Sequence, residues 1–210
     1  MLSDRTLRYL LPMPVRRAHK PSADRILETA EEVFAKHGYG EVSLRQLMAA
    51  AGVSTTAFYA RFDSKEAVMA ELTTRLFGAL YAEVPRVLGE VKNLASGIEH
   101  GVDLLCDQFA ERKALVRLIL SEAGSSAAAV AARRDAYGVL AGFLASRFRA
   151  MAERKKMIAP DPDGLAWALV GALEIQIVRW AVWGEIDLET LRAQLRAVSR
   201  AVIRTTEEDS

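Results

Sequence analysis

Apolar residues recur along this chain at intervals of three and four, the spacing of one helical face, almost from end to end. Ile26, Leu27, Ala30, Val33 and Phe34 set the pattern and predict a first helix from Ser22, which can cap it, with Asp24 in its first turn. Gly38 and Gly40 end it. A second helix starts at Ser43, where Ser43 and Gln46 form a capping box and Leu47, Met48 and Ala51 face inward. Gly52 permits a sharp turn, and Val53 fills the angle it makes. Ser54 caps a third helix, whose Phe58 and Phe62 point to the core. Asp63 and Glu66 form a second capping box that opens a fourth helix at about Ser64. Helix starts this close together predict the helix-turn-helix layout, which presents one helix to the major groove of DNA.

The same period continues through helices expected over about 64–84, 95–110, 112–122 and 125–156, with Pro85 and Gly124 marking breaks. Asp161 and Pro162 suit the cap and first turn of an eighth helix, which runs to about Val182 and ends at Gly184. Asp187 caps a ninth, where Leu188, Leu191, Leu195, Val198 and Val202 make a seam close to heptad spacing. No tandem repeat and no strand alternation is evident. The expected fold is all-α with about nine helices. Residues 1–20 read as a flexible arm, 21–66 as a three-helix helix-turn-helix domain, and 67–210 as a helical ligand-binding and dimerisation domain.

Charge refines this picture. The 210 residues carry a net charge of only +1, so the molecule as a whole is no polycation. The arm holds Arg5, Arg8, Arg16, Arg17 and Lys20 against Asp4 alone, while residues 67–210 are close to neutral. Such an arm either neutralises DNA phosphates and enters a minor groove, or is simply solvated. The lone Cys106 excludes an internal disulfide and reads as an inert buried thiol. The segment Leu165–Trp183 is strongly apolar but carries Glu174 and Arg179, which fits a buried helix better than a membrane span. The opening LRYLLPMPV is too short and too interrupted for a secretory signal, so a cytoplasmic protein is expected.

AGVSTTAFYARF (Ala51–Phe62) followed by DSKEAV (Asp63–Val68), with a first helix ending in KHGY, resembles the DNA-binding domain of the TetR family of transcriptional regulators. The resemblance covers residues 22–75; beyond them it extends only to helix number and order. It implies an all-α homodimer, most simply a ligand-responsive repressor, that binds a palindromic operator in double-stranded DNA. It implies phosphate contacts from Ser43, Tyr59 and Lys65, and a guanine contact from Arg45. Thr55 and Thr56 would read base edges or thymine methyls, and Arg61 would touch phosphate. Thr56 stands where many members have Gly, Ala57 where many have Thr or Ser, and Arg61 where His is frequent, so the operator sequence does not follow from the family. Tyr59 also admits a partial packing role.

For the larger domain, the eighth and ninth helices are the expected dimer interface, through Gly171, Leu191, Leu195 and Val198. Gly171 and Ala172 would allow close approach. Phe109, Tyr137, Phe143, Trp167 and Trp180 are candidate walls of a cavity for a small lipophilic or aromatic effector, though each is also an ordinary core residue. Gln176 and Arg179 share a face and Glu174 points elsewhere; these polar groups either orient a ligand or make hydrogen bonds across the dimer or near a helix end. The basic residues Arg147, Arg149, Arg154, Lys155 and Lys156 read as a solvated helix end.

Two other classes compete. An enzyme would need a constellation that His19, His37 and His100 do not supply, and no metal-ligand spacing, phosphate loop or nucleophile elbow is present. No cofactor or metal is therefore expected, and no catalytic residue is assigned. An adaptor that kept the fold but lost DNA binding would have no need of Arg45, Tyr59, Arg61 and Lys65 around a groove-sized helix.

Overall fold

Short polar side chains decide where the helices of this chain begin. The computed structural model describes residues 22–89, 94–122, 126–153 and 161–204. Among these, nine α-helices follow one another and no strand occurs. They are α1 (Ser22–His37), α2 (Leu44–Ala51), α3 (Thr55–Tyr59), α4 (Lys65–Gly89), α5 (Leu94–Glu111), α6 (Lys113–Glu122), α7 (Ala127–Glu153), α8 (Pro162–Val178) and α9 (Leu188–Arg204). A π-helical turn, Arg179–Trp183, extends α8. The basic arm, Gly124 and the run Arg154, Lys155 and Lys156 lie outside the described residues.

The caps account for the boundaries. Asp161 accepts the Gly164 amide at 2.9 Å ahead of α8, and Asp187 accepts the Thr190 amide at 2.7 Å ahead of α9. At the start of α4 the cap lies one residue later than the Asp63–Glu66 box expected from sequence. The Ser64 hydroxyl accepts the Ala67 amide at 3.1 Å. Pro85 does not break α4, which runs on to Gly89. Proline removes one amide donor but keeps a helical φ, so a helix can pass through it at a cost.

The first three helices are not hung from a linker. A single buried cluster runs from Ile26 and Phe34 through Phe58 and Met69 to Leu115, Trp180 and Leu195. Helix α4 carries this continuity because it packs against α1, α5 and α7. A second cluster joins Ala141, Leu144 and Phe148 of α7 to Ala166, Leu169 and Val170 of α8.

The ninth helix corrects the expected dimer seam. Leu191 and Leu195 are fully buried within their own subunit. Val198 is half-buried against the α7–α8 cluster. The reason is electrostatic as well as apolar: α9 is clamped onto α5. Arg192 pairs with Asp103 at 2.8 Å and Asp107 at 2.7 Å, Arg196 pairs with Asp103 at 2.6 Å, and Arg200 pairs with Glu99. The seam therefore closes the core of one subunit. Of the four residues expected at the interface, only Gly171 is exposed. It lies between Trp167 and Ile175, at four-residue spacing along α8, and both of these are also exposed.

The segment Pro162–Trp183 is long and apolar enough to cross a membrane. In this fold it packs against α7 and α9 as one wall of the helical domain.

Candidate nucleic-acid interface and effector cavity

The reading head is built from two capped helices meeting at a left-handed glycine. Ser43 opens α2 with both halves of a capping box: its hydroxyl accepts the Gln46 amide at 3.3 Å, and its own amide donates to Gln46 Oε1 at 2.8 Å. Gly52 ends α2 at φ 60°, a conformation that a side chain disfavours. Ser54 then accepts the Ala57 amide at 3.2 Å and starts α3. Phe58 is fully buried beneath α3 and meets Phe62 with 6.0 Å between ring centres. The opposite face is presented to solvent: Thr55, Thr56 and Tyr59 are exposed, as are Ser43 and Arg45 of the α2 start and Arg61 beyond α3. Tyr59 is 51% exposed, with its ring edge-on to Phe58 at 5.6 Å, so its base packs while its hydroxyl stays available.

Lys65 stands apart from the other six. Its ammonium donates to the carbonyl oxygens of Tyr39 and Val42, both at 2.8 Å, and lies 4.1 Å from the centre of the Tyr39 ring. It pins the α1–α2 connection to the start of α4. Tyr39 was not singled out by sequence reasoning. It is buried, edge-on to Phe34 at 5.2 Å, and its hydroxyl sits beside Glu66 and Ser126. Burial, reinforced by the Glu66 carboxylate, pushes its phenol up to about 12.

Behind the head, ion pairs connect α1 to neighbouring elements. Arg112, at the α5–α6 junction, donates from Nη2 to Glu31 Oε2 at 2.5 Å and from Nε to Oε1 at 3.3 Å. Arg75 of α4 bridges Asp24 at 2.8 Å and Glu71 at 2.9 Å.

A cavity of about 490 Å³, counting its opening to solvent, lies between α4, α5, α6, α7 and α8. Leu76, Phe77, Leu80 and Tyr81 of α4 form one wall; Tyr137, Leu140, Leu173 and Glu174 are among the residues of α7 and α8 facing it. Of the residues suggested by sequence, Phe109 and Tyr137 line this space. The other four do not, each for a visible reason. Trp167 is 47% exposed on the outer face of α8. Trp180 is buried against α6 with the Lys113 ammonium 4.6 Å from its ring centre. Phe143 lies under the Arg147 guanidinium. Gln176 accepts a bond from Arg179 at 2.9 Å, and Arg179 also reaches Glu185 and Gln194, so this polar group ties α8 to α9.

Glu174 is the polar residue of α8 that faces the cavity. Burial pushes the Tyr137 phenol well above its usual range, and the charge and hydrogen bonding of Glu174 beside it add to the effect. Tyr81 is raised by burial alone. A weak signal for this lining was present in the sequence: Phe77 and Tyr81 are four apart on α4. Cys106 is buried, and that burial raises its thiol to about 11, well above the reactive range. No cluster of His, Cys, Asp or Glu able to hold a metal occurs among the described residues.

Residues 26–72 match the profile of the bacterial regulatory proteins of the tetR family. The chain is 25% identical over 179 residues to the HTH-type transcriptional regulator UidR of Escherichia coli K12, covering 82% of this chain and 85% of that protein. Its fold is similar to that of a TetR-family transcriptional regulator from Syntrophomonas wolfei (TM-score 0.79, 19% identity, 88% of this chain and 96% of that one). It is also similar to that of Thermus thermophilus FadR, a TetR-family repressor solved with lauroyl-CoA (TM-score 0.65, 22% identity, 86% and 93%).

Proposed function

We propose that this chain, whose residues 26–72 match the profile of the bacterial regulatory proteins of the tetR family, is a DNA-binding regulator of transcription: a homodimeric repressor released from a near-palindromic operator by a small lipophilic or aromatic effector. The observation that carries this reading is the exposed face of α3, Thr55, Thr56 and Tyr59, which follows the exposed Arg45 of α2 across two caps and a glycine turn. Arg45 pairs with a guanine through O6 and N7, and the two threonines read base edges or thymine methyls. Ser43, Tyr59 and Arg61 hold phosphates. Lys65 acts chiefly as a brace, since two of its three N–H groups already bind backbone carbonyls; the third remains available to a phosphate. No catalytic step belongs to this reading, and a cytoplasmic protein fits it.

The partner in the dimer is a second copy, seated on the exposed stripe Trp167, Gly171 and Ile175 of α8 and the neighbouring exposed alanines 193, 197 and 201 of α9. Two such faces brought together make a four-helix contact in which the glycine permits close approach. This burial, rather than lipid, accounts for the apolar outer face of α8.

Release follows from linkage. An effector must bind better to the arrangement whose two heads do not fit the operator. Helix α4 is the lever: its first turns support the head, and its Leu76–Tyr81 segment lines the cavity. Selection of DNA from a random pool by the purified protein tests the core of this reading. An enriched inverted repeat supports it; a folded dimer that enriches nothing favours an adaptor on the same fold.

A further inference from the structure

The effector cavity has a distinctive chemical character. Four aromatic rings meet at its wall: Phe77 stacks on Tyr81 at 6.0 Å and receives Phe109 and Tyr137 edge-on at 6.2 and 5.7 Å. Most of the remaining lining is aliphatic. Among the described residues that line it, Glu174 is the only charged one, and it is half-buried. The Tyr137 hydroxyl bonds to it, which occupies one of several acceptor positions on the carboxylate and leaves the rest for a ligand. Arg133 acts on Tyr137 electrostatically but is not part of the lining.

An anionic ligand would meet a like charge here with no basic group among the described lining residues to answer it. A positively charged group would gain twice, from the carboxylate and from the negative faces of surrounding rings. We infer that the effector is an organic cation: an amine or quaternary ammonium carried on an aromatic or aliphatic body, with its charge against Glu174 and its body among Phe77, Tyr81, Phe109 and Tyr137. This rests on the cavity being the effector site, as proposed above. Tyr137 is a positioning residue, since its hydrogen bond orients the carboxylate.

Three probes sharing one body separate the charge claim from the site claim: 4-phenylbutylamine, 4-phenylbutanol and 4-phenylbutyrate, titrated calorimetrically into the full-length protein. The amine is expected to bind at least about tenfold tighter than the alcohol, and the butyrate weakest of the three. In Glu174→Gln the amine should lose its advantage and bind no tighter than the alcohol, with a melting curve recorded to check that the variant is folded. A preference for butyrate, or an amine preference that survives Glu174→Gln, overturns the cation assignment and leaves the effector site standing. If none of the three binds a protein that still selects its operator, the effector reading falls along with the inference. Tyr137→Phe serves as a second check: the amine's advantage should shrink without vanishing, because the carboxylate remains.

Discussion

Lys65 donates to the carbonyl of Tyr39 while its ammonium lies against the ring of the same residue, 4.1 Å from its centre. One lysine thus fixes both the backbone and the side chain of the α1–α2 connection, with Val42 as a third anchor. The resemblance alone would make Lys65 a phosphate ligand; its geometry makes it first a structural tie. Lys65→Ala should therefore cost about 1.5–3 kcal/mol of stability, the range for hydrogen bonds to a charged group. That corresponds to a melting temperature lower by several degrees. Operator affinity should fall without much change in salt dependence. Unchanged stability with a salt slope flatter by about one would instead assign Lys65 to phosphate.

In the proposed reading Arg45 carries base discrimination. Arg45→Ala should cost about 1–3 kcal/mol on the operator and relax preference at one base position in each half-site, as read by binding to a panel of single-base operator variants. Tyr59→Phe removes only an exposed hydroxyl, so it should weaken binding to all sequences alike and leave the fold intact. Uniform loss in both variants would remove the division between base and phosphate contacts.

The proposed dimer face and the ninth-helix core should respond differently to substitution. Ile175→Glu places a charge on the exposed stripe and should yield folded monomers by light scattering, with operator binding lost. Leu195→Ala empties a fully buried position and should cost about 2–5 kcal/mol, seen as a lower melting temperature. A monomer from Leu195→Ala at unchanged stability, or an intact dimer from Ile175→Glu, would return the interface to the α9 seam.

Alkaline titration tests the buried phenols. Tyr39 has its pKa raised from 10.0 to about 12, and Tyr81 and Tyr137 are raised as well. A raised folded-state value means the unfolded chain loses its proton first. Stability is therefore complete below pH 10 and declines as the pH rises towards 12, with a slope approaching ~1.4 kcal/mol per unit for each such group. Tyr39→Phe should flatten that decline in denaturant melts. An unchanged profile would mean that Tyr39 is not buried as a neutral phenol.

The reading head was legible in the sequence because its determinants are local. Ser43 with Gln46, Gly52, and Ser54 act within a few residues of themselves, and the structure has each in the expected role. The cap before α4 moved by one residue because Ser64 and Asp63 are both capable and only packing chooses between them. The burial of Leu191 and Leu195 within the subunit was not legible, because they look the same in sequence whether they meet a partner or α5. The deciding partners, Asp103 and Asp107, lie more than eighty positions away. The cavity lining was legible only in Phe109 and Tyr137, for the same reason. Periodicity marks Phe143, Trp167 and Trp180 as apolar but cannot say which cover a surface, fill a core or face a hollow. Glu174 was visible as an anomaly in an apolar helix; which way it faced required the neighbours.

The central claim is that this chain reads DNA as a dimer, and one titration bears on it most directly. Labelled operator from the random-pool selection is titrated with protein at two salt concentrations, with stoichiometry measured on the same complex. The account predicts an even number of subunits per operator, affinity falling steeply with salt, and binding to scrambled duplex at least about a thousandfold weaker. Equal affinity for operator and scrambled duplex, or one subunit bound per operator, would contradict it.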